Sequence, residues 1–201
     1  MTKKEEWLAG ARSAVPIMLG YVPVGIAYGV MARQAGLNTW QTVLMSLTVY
    51  GGASEMMAAG MVAQGAAVLT IVLTTFILNL RHIIMSTCVF NQMQGGRLPV
   101  RMLAAFGVTD ETFAVYTTTA NAPRTPRYFF SMALCSYLSW ALGSWLGAIA
   151  TGLLPPLITA ALGISLYAMF IGLLMPGLHG NGRLAALVVL TALCNTVLCN
   201  V

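Results

Sequence analysis

Charge is what this sequence most lacks. Asp, Glu, Lys and Arg together make up 7% of its 201 residues, against about 25% in an ordinary soluble domain. Hydrophobic residues make up 58%, so a water-soluble domain is excluded and the bilayer is the solvent this composition fits. Aspartate is nearly missing. Asp110 stands alone, which excludes the two-aspartate dyad of an intramembrane aspartyl protease. HExxH is absent, excluding a zinc metalloprotease of that kind, and Ser54 lacks the following glycine that rhomboid-like proteases carry. An enzyme is not expected. Cys88, Cys135, Cys194 and Cys199 form no CxxC pair and fall within apolar runs, so they read as small core residues rather than a disulfide framework. Neither Cys88 nor His179 has convincing ligand spacing to His82, so no metal or cofactor is expected. The net charge of +5 comes from dispersed basic residues rather than a basic stripe, which argues against nucleic acid.

What is present is apolar sequence in long runs. At roughly 20 residues per crossing, the chain accommodates six or seven spans in a single transmembrane domain covering residues 1–201. The fold class expected is an all-α polytopic membrane helix bundle with broken or re-entrant helices near mid-membrane. Residues 1–12 read as a polar cytoplasmic tail with no removable signal peptide. A first span at 13–31 contains Pro16 and Pro23, expected helix breaks, and the pair Gly25 and Gly29, whose spacing permits close helix approach. A second span, 40–64, is interrupted by Gly51 and Gly52, and a third, 66–90, carries Asn79, Arg81 and His82. The segment around 106–113 can be a tilted span, a re-entrant piece or a broken helix. A fifth span, 128–152, has a second small-residue pair, Gly143 and Gly147. A sixth is expected at 153–178 between Pro155-Pro156 and Pro176-Gly177, and a last segment begins at Leu184. On this scheme six Lys and Arg residues lie on the N-terminal side and three on the other, which predicts a cytoplasmic N-terminus.

Of five acidic residues, Glu5 and Glu6 lie in the tail, leaving Glu55, Asp110 and Glu111 in apolar surroundings. An ionisable group within a span is costly unless it is paired or faces a polar cavity. Arg81 is the counter-charge expected for Asp110 or Glu55. Such a pair can cross-link helices, line a solute or proton path, or do both. Asn79 and His82 share a helical face, and an imidazole there can exchange protons near neutral pH or serve as a hydrogen-bonded core residue. The Gly51-Gly52-Ala53-Ser54-Glu55 interruption reads either as tight packing or as a discontinuous helix exposing backbone N–H and C=O groups to a polar solute.

Four motifs in order resemble the AzlC family of branched-chain amino acid exporters: Val15-Pro16-Ile17-Met18-Leu19-Gly20-Tyr21-Val22-Pro23-Val24-Gly25, Tyr50-Gly51-Gly52-Ala53-Ser54-Glu55, Asn79-Leu80-Arg81-His82, and Phe106-Gly107-Val108-Thr109-Asp110-Glu111-Thr112-Phe113. The similarity is strong over 13–113 and beyond that rests on hydropathy. It implies a multi-pass bacterial inner-membrane transporter that exports branched-chain or similar hydrophobic amino acids, driven by the proton gradient. It also implies a small AzlD-type membrane subunit as partner, and leaves a higher oligomer open. Carried over by position, Gly51, Gly52, Ser54, Glu55, Asn79, Arg81, His82, Thr109, Asp110 and Glu111 form the substrate or proton pathway. Many members of the family have Gln where this chain has Glu55, and members extend further beyond the last apolar segment, so the natural C-terminus is expected beyond Val201. A passive channel or facilitator for a small polar solute is the alternative, and a non-transporting scaffold a third class.

Overall fold

The computed structural model describes residues 2–153 and 182–199, with positions 155, 157, 158, 161, 164, 171, 175 and 178 between them. It divides into two compact units, Met1–Ser165 and Leu166–Val201. The described residues are helical or connecting, and the architecture is an all-α membrane helix bundle. Helix α1 spans Lys3–Gln34 and α2 Thr39–Val49, followed by α3, Gly52–Ala63. Helices α4, Val68–Asn79, and α5, Arg81–Gln92, come next, then α6, Leu98–Phe106, α7, Asp110–Thr118, and α8, Pro126–Ala150. In the second unit α9 covers Gly182–Cys199. Among the described residues, three stretches are long and apolar enough to cross a membrane unaided: Lys3–Gln34, Val68–Gln92 and Pro126–Ala150. The predicted span at 153–178 lies largely outside the described residues, as do Pro156, Pro176, Gly177 and His179.

One expectation for α1 is corrected, the breaks at its prolines. The polar residues 3–12 form the first turns of the helix, because Thr2 and Glu5 make a reciprocal capping box: Glu5 N donates to Thr2 Oγ1 at 3.3 Å and Thr2 N to Glu5 Oε2 at 2.8 Å. The helix also runs unbroken through Pro16 and Pro23. Each proline removes one N–H from the ladder, but Pro16 is exposed and Pro23 half-buried, whereas Ala14, Ile17, Tyr21, Val24 and Gly25 are buried. The defects lie away from the packed face, and packing keeps the helix continuous.

That packed face meets α8. The two helices run parallel, Gly10 beside Tyr128 and Ser131 near one end and Gly29 beside Ser144 and Ala148 near the other. The two small-residue pairs anticipated in the sequence face each other. A methyl group on Gly25 would stand 3.0 Å from the Trp140 carbonyl oxygen and 3.1 Å from the Gly143 Cα, and one on Gly147 would collide with the Ile26 backbone. Van der Waals contact between backbones is what drives helices together where lipid offers no hydrophobic gain. Polar ties supplement it: Tyr128 Oη donates to Ser13 Oγ at 2.7 Å, and Ser131 Oγ to the Trp7 carbonyl at 2.7 Å. Helix α2 is fastened to this pair by Ser46 to Ser144, 2.7 Å, and by Tyr28 Oη donating to the Thr42 carbonyl at 3.1 Å. In contrast, α4 has no buried residue and exposes Leu69, Val72, Leu73, Phe76 and Ile77.

Cys88 and Cys135 are half-buried and Cys194 exposed, rather than core residues. Because the atoms a side chain would meet at Gly147 are backbone, Gly147→Leu is expected to cost about 3 kcal/mol, the upper end of overpacking penalties. Leu142→Val on the exposed side of α8 should stay within about 0.5 kcal/mol. Thermal unfolding of the detergent-solubilised protein, followed by loss of the monodisperse peak, compares the two.

Candidate functional site

The interruptions expected in the middle of the spans are present, and each is built from its own residues. Helix α2 ends because Tyr50 adopts the left-handed conformation, φ 47°, ψ 52°, at a cost of about 1–3 kcal/mol for a residue other than glycine. Gly51 is extended and caps α3 without a side chain of its own. The motif folds back on the break instead: Gly51 N donates to Glu55 Oε1 at 2.9 Å, and Ser54 Oγ donates to the Gly51 carbonyl at 2.8 Å. The third span is interrupted only slightly, Leu80 keeping near-helical angles of φ −56°, ψ −28° between α4 and α5. The segment for which three conformations stood open forms two short helices, α6 and α7, rather than one continuous tilted span. It turns at Gly107, Val108 and Thr109, and Thr109 caps α7 in a reciprocal box with Thr112.

These interruptions come together. Asn79 lies against the first break, where a methyl group on Gly51 would stand 3.5 Å from Asn79 Oδ1. Arg81 Nη2 is 2.9 Å from Asp110 Oδ2, joining the second break to the third. His82 feels the charges of both Asp110 and Arg81. Of the two acids considered for Arg81, the structure therefore selects Asp110. Glu55, fully buried, accepts instead from Trp140 Nε1, at 3.2 Å to each carboxylate oxygen. Gly52 makes that possible, since a methyl group there would stand 2.9 Å from the indole ring. Glu111 is also buried and accepts from Tyr21 Oη at 2.6 Å, while Tyr21 Oη lies 2.7 Å from Thr109 Oγ1. The Tyr21 and Trp140 rings meet edge to face, centroids 5.3 Å apart, so the supports of the two glutamates touch.

Two features set the chemistry. First, among the described residues neither Glu55 nor Glu111 has a basic side chain within ion-pair distance, because Arg81 is held by Asp110 and Arg127 by Glu6. A buried carboxylate without a counter-charge is costly, so the centre favours occupancy by a cation or a proton. Second, Tyr50 Oη, Asn79 Oδ1 and Arg81 Nε are buried without a hydrogen-bond partner, and such groups mark places where a ligand or water is expected. Beside this polar centre, the Tyr50 ring stacks on Phe106, centroids 6.0 Å apart, and meets Tyr137 edge on at 4.9 Å. Phe106 and Tyr137 also line an apolar cavity of about 230 Å³ with Leu103, Gly107, Phe130, Ala133 and Leu134. Among the described residues, His, Cys, Asp and Glu form no group of three able to hold a metal ion.

The residues singled out in the three motifs thus sit together, while Pro16 and Pro23 contribute no break. Tyr21, Trp140 and Thr112 were not foreseen. The signal for the first two was available: a phenol or indole in mid-span carries a polar hydrogen that needs a partner, and buried carboxyls are the acceptors.

A family model described as AzlC protein matches residues 16–154. An uncharacterized membrane protein of Archaeoglobus fulgidus is 33% identical, the match covering 92% of this chain and 82% of that protein. Inner membrane protein YgaZ of Escherichia coli is 30% identical over 84% of this chain and 72% of its own length. The branched-chain amino acid transport protein AzlC of Bacillus subtilis is 27% identical over 74% of this chain and 61% of its own. No solved structure matches.

Removing the indole donor leaves the buried Glu55 carboxyl short of a partner. Trp140→Phe is expected to lower unfolding stability by about 1–3 kcal/mol beyond the packing loss. The difference should shrink in a Glu55→Leu background, where the acceptor is gone. A double-mutant cycle by denaturant titration in mixed micelles measures it.

Proposed function

The chain belongs to the AzlC family of membrane proteins, and from that premise we propose that it is the large subunit of a transporter that exports branched-chain or similar hydrophobic amino acids, coupled to protons. The observation that carries this reading is the meeting of three interrupted helices around buried acids without counter-charge and around unpartnered polar atoms. A zwitterionic amino acid satisfies that arrangement. Its ammonium supplies the cation that Glu55 lacks and reaches the free valences of Tyr50 Oη and Asn79 Oδ1. Its carboxylate is drawn to Arg81, whose Nε is unpartnered and whose Nη2 is shared with Asp110. Half-helix ends meeting a solute in this manner are a recurrent transporter device. The apolar cavity adjoining Tyr50 suits an aliphatic side chain, and the transport named for the Bacillus subtilis relative agrees with that choice.

In this reading a small AzlD-type membrane subunit completes the transporter. The protein resides in the bacterial inner membrane with its N-terminus cytoplasmic, supported by the excess of Lys and Arg on that side. His82, beside the Arg81–Asp110 pair, relays protons to it.

The experiment is counterflow of labelled leucine, isoleucine and valine in proteoliposomes containing both subunits. Asp110→Asn and Arg81→Ala are each expected to lower flux about tenfold or more, equivalent to losing about 1.4 kcal/mol of interaction. Undiminished flux in both variants removes the role assignments. Flux that is linear in solute concentration and indifferent to an imposed pH gradient identifies a passive facilitator instead.

A further inference from the structure

The first and third interruptions share a pattern. Tyr50-Gly51-Gly52-Ala53-Ser54-Glu55 and Phe106-Gly107-Val108-Thr109-Asp110-Glu111 each place a glycine after an aromatic residue and a glutamate five positions beyond that aromatic. The two aromatic rings stack on each other. Each glutamate rests on a different member of the central helix pair, Glu55 on Trp140 of α8 and Glu111 on Tyr21 of α1. The surroundings of the two carboxyls nevertheless differ. Beside the first break Asn79 Oδ1 is unpartnered, so a ligand can bind there. The hydroxyls that hold Glu111 are taken: Tyr21 Oη serves both Glu111 and Thr109, Thr109 Oγ1 accepts from Thr112 N at 3.3 Å, and Thr112 Oγ1 donates to the Gly107 carbonyl at 2.9 Å. Glu111, Tyr21, Thr109 and Thr112 are all buried. Nothing the size of an amino acid fits among them, but a proton does.

We propose that the duplicated motif divides the work of transport: Glu55 faces the solute, and Glu111, held by Tyr21 and Thr109, is the carboxyl that carries the driving proton. The assignment rests on the transport reading above. The chain of hydroxyls shows how the proton is sensed. With Glu111 ionised, Tyr21 gives its single hydroxyl proton to Glu111 Oε2 and accepts from Thr109 Oγ1. When a proton binds Glu111, the new O–H donates to Tyr21 Oη, the Tyr21 proton turns to Thr109 Oγ1, and the Thr109 proton turns to Thr112 Oγ1, 3.3 Å away. Only the O–H bond on Glu111 is new; the other hydroxyls rotate. Thr109 caps α7, and the next residue, Asp110, holds Arg81, so the reversal takes place at the residue next to the ion pair. The titratable groups facing Glu111 are Tyr21 on α1, Tyr50 at the first break and Asp110 on its own helix. None of them carries a positive charge that would stand in for the proton.

Leucine counterflow, which needs no net proton movement, and accumulation driven by an imposed pH gradient separate the two functions in proteoliposomes of the complete transporter. Glu111→Gln is expected to lose gradient-driven accumulation while counterflow continues. Tyr21→Phe keeps the ring but removes both a donor to the Glu111 carboxylate and the hydroxyl that passes the reversal on, so accumulation is expected to weaken, with its pH midpoint moved upward, while counterflow continues. Accumulation by Glu111→Gln at the wild-type level overturns the assignment. So does loss of both modes in a folded Glu111→Gln protein, which would put the residue on the solute path, and so does an unchanged pH profile for Tyr21→Phe, the deciding variant should Glu111→Gln fail to fold. Wild-type counterflow with no response to the gradient overturns it too. Absence of wild-type counterflow removes the transport reading itself.

Discussion

The contact between α1 and α8 is the constraint from which the rest of the centre follows. Gly25, Gly29, Gly143 and Gly147 bring two backbones within touching distance over several turns, and Tyr21 and Trp140 come from those same two helices. Their rings meet because the helices do. The phenol then reaches Glu111 and the indole reaches Glu55. A wider helix pair would separate the rings, leaving Glu111 without its phenol donor and Glu55 with Gly51 N alone, a state that low-dielectric surroundings penalise. Close packing and buried acidity are therefore one requirement met by the same residues.

Around that rigid pair the stretches α2–α3, α4–α5 and α6–α7 are interrupted, and the interruptions have different strengths. At Tyr50 the backbone reverses into the left-handed region, at Gly107 to Thr109 a capped turn intervenes, and at Leu80 the helix barely departs from its path. The two strong breaks each present a new helix N-terminus, with its free N–H groups and positive end. In α3 the side chain of Glu55 occupies that end through Gly51 N; in α7 the Thr109–Thr112 box does so.

Much of this was legible beforehand, and what was not has physical reasons. Two adjacent glycines followed by a carboxyl announce a break regardless of tertiary context, and Arg81 as the one arginine deep in a span had to meet an acid. Which acid it meets depends on how α5 lies against α7, which no local pattern encodes. Pro16 and Pro23 suggested breaks because propensity is local, whereas the burial of Ala14, Ile17, Tyr21 and Val24 on the other face keeps α1 whole. The extension of α1 back to Lys3 was readable in Thr2 and Glu5, a capping-box spacing, but the polarity of the segment concealed it. Tyr21 and Trp140 were hidden by belonging to apolar runs in which an aromatic looks like packing.

The absence of a basic partner for Glu55 and Glu111 has an electrical consequence. Arg81 and Asp110 cancel, so an empty, unprotonated centre holds two negative charges inside the bilayer, and a bound zwitterion, whose ammonium and carboxylate also cancel, leaves that number unchanged. Charge that moves fully across a membrane couples to its potential by about 2.3 kcal/mol per 100 mV. Only the proton on Glu111 lowers the number of charges, so the form that carries the amino acid and the empty form that carries the proton differ by one charge and respond differently to the voltage. In a cell with a polarised membrane, the potential acts on the exchange of amino acid for proton.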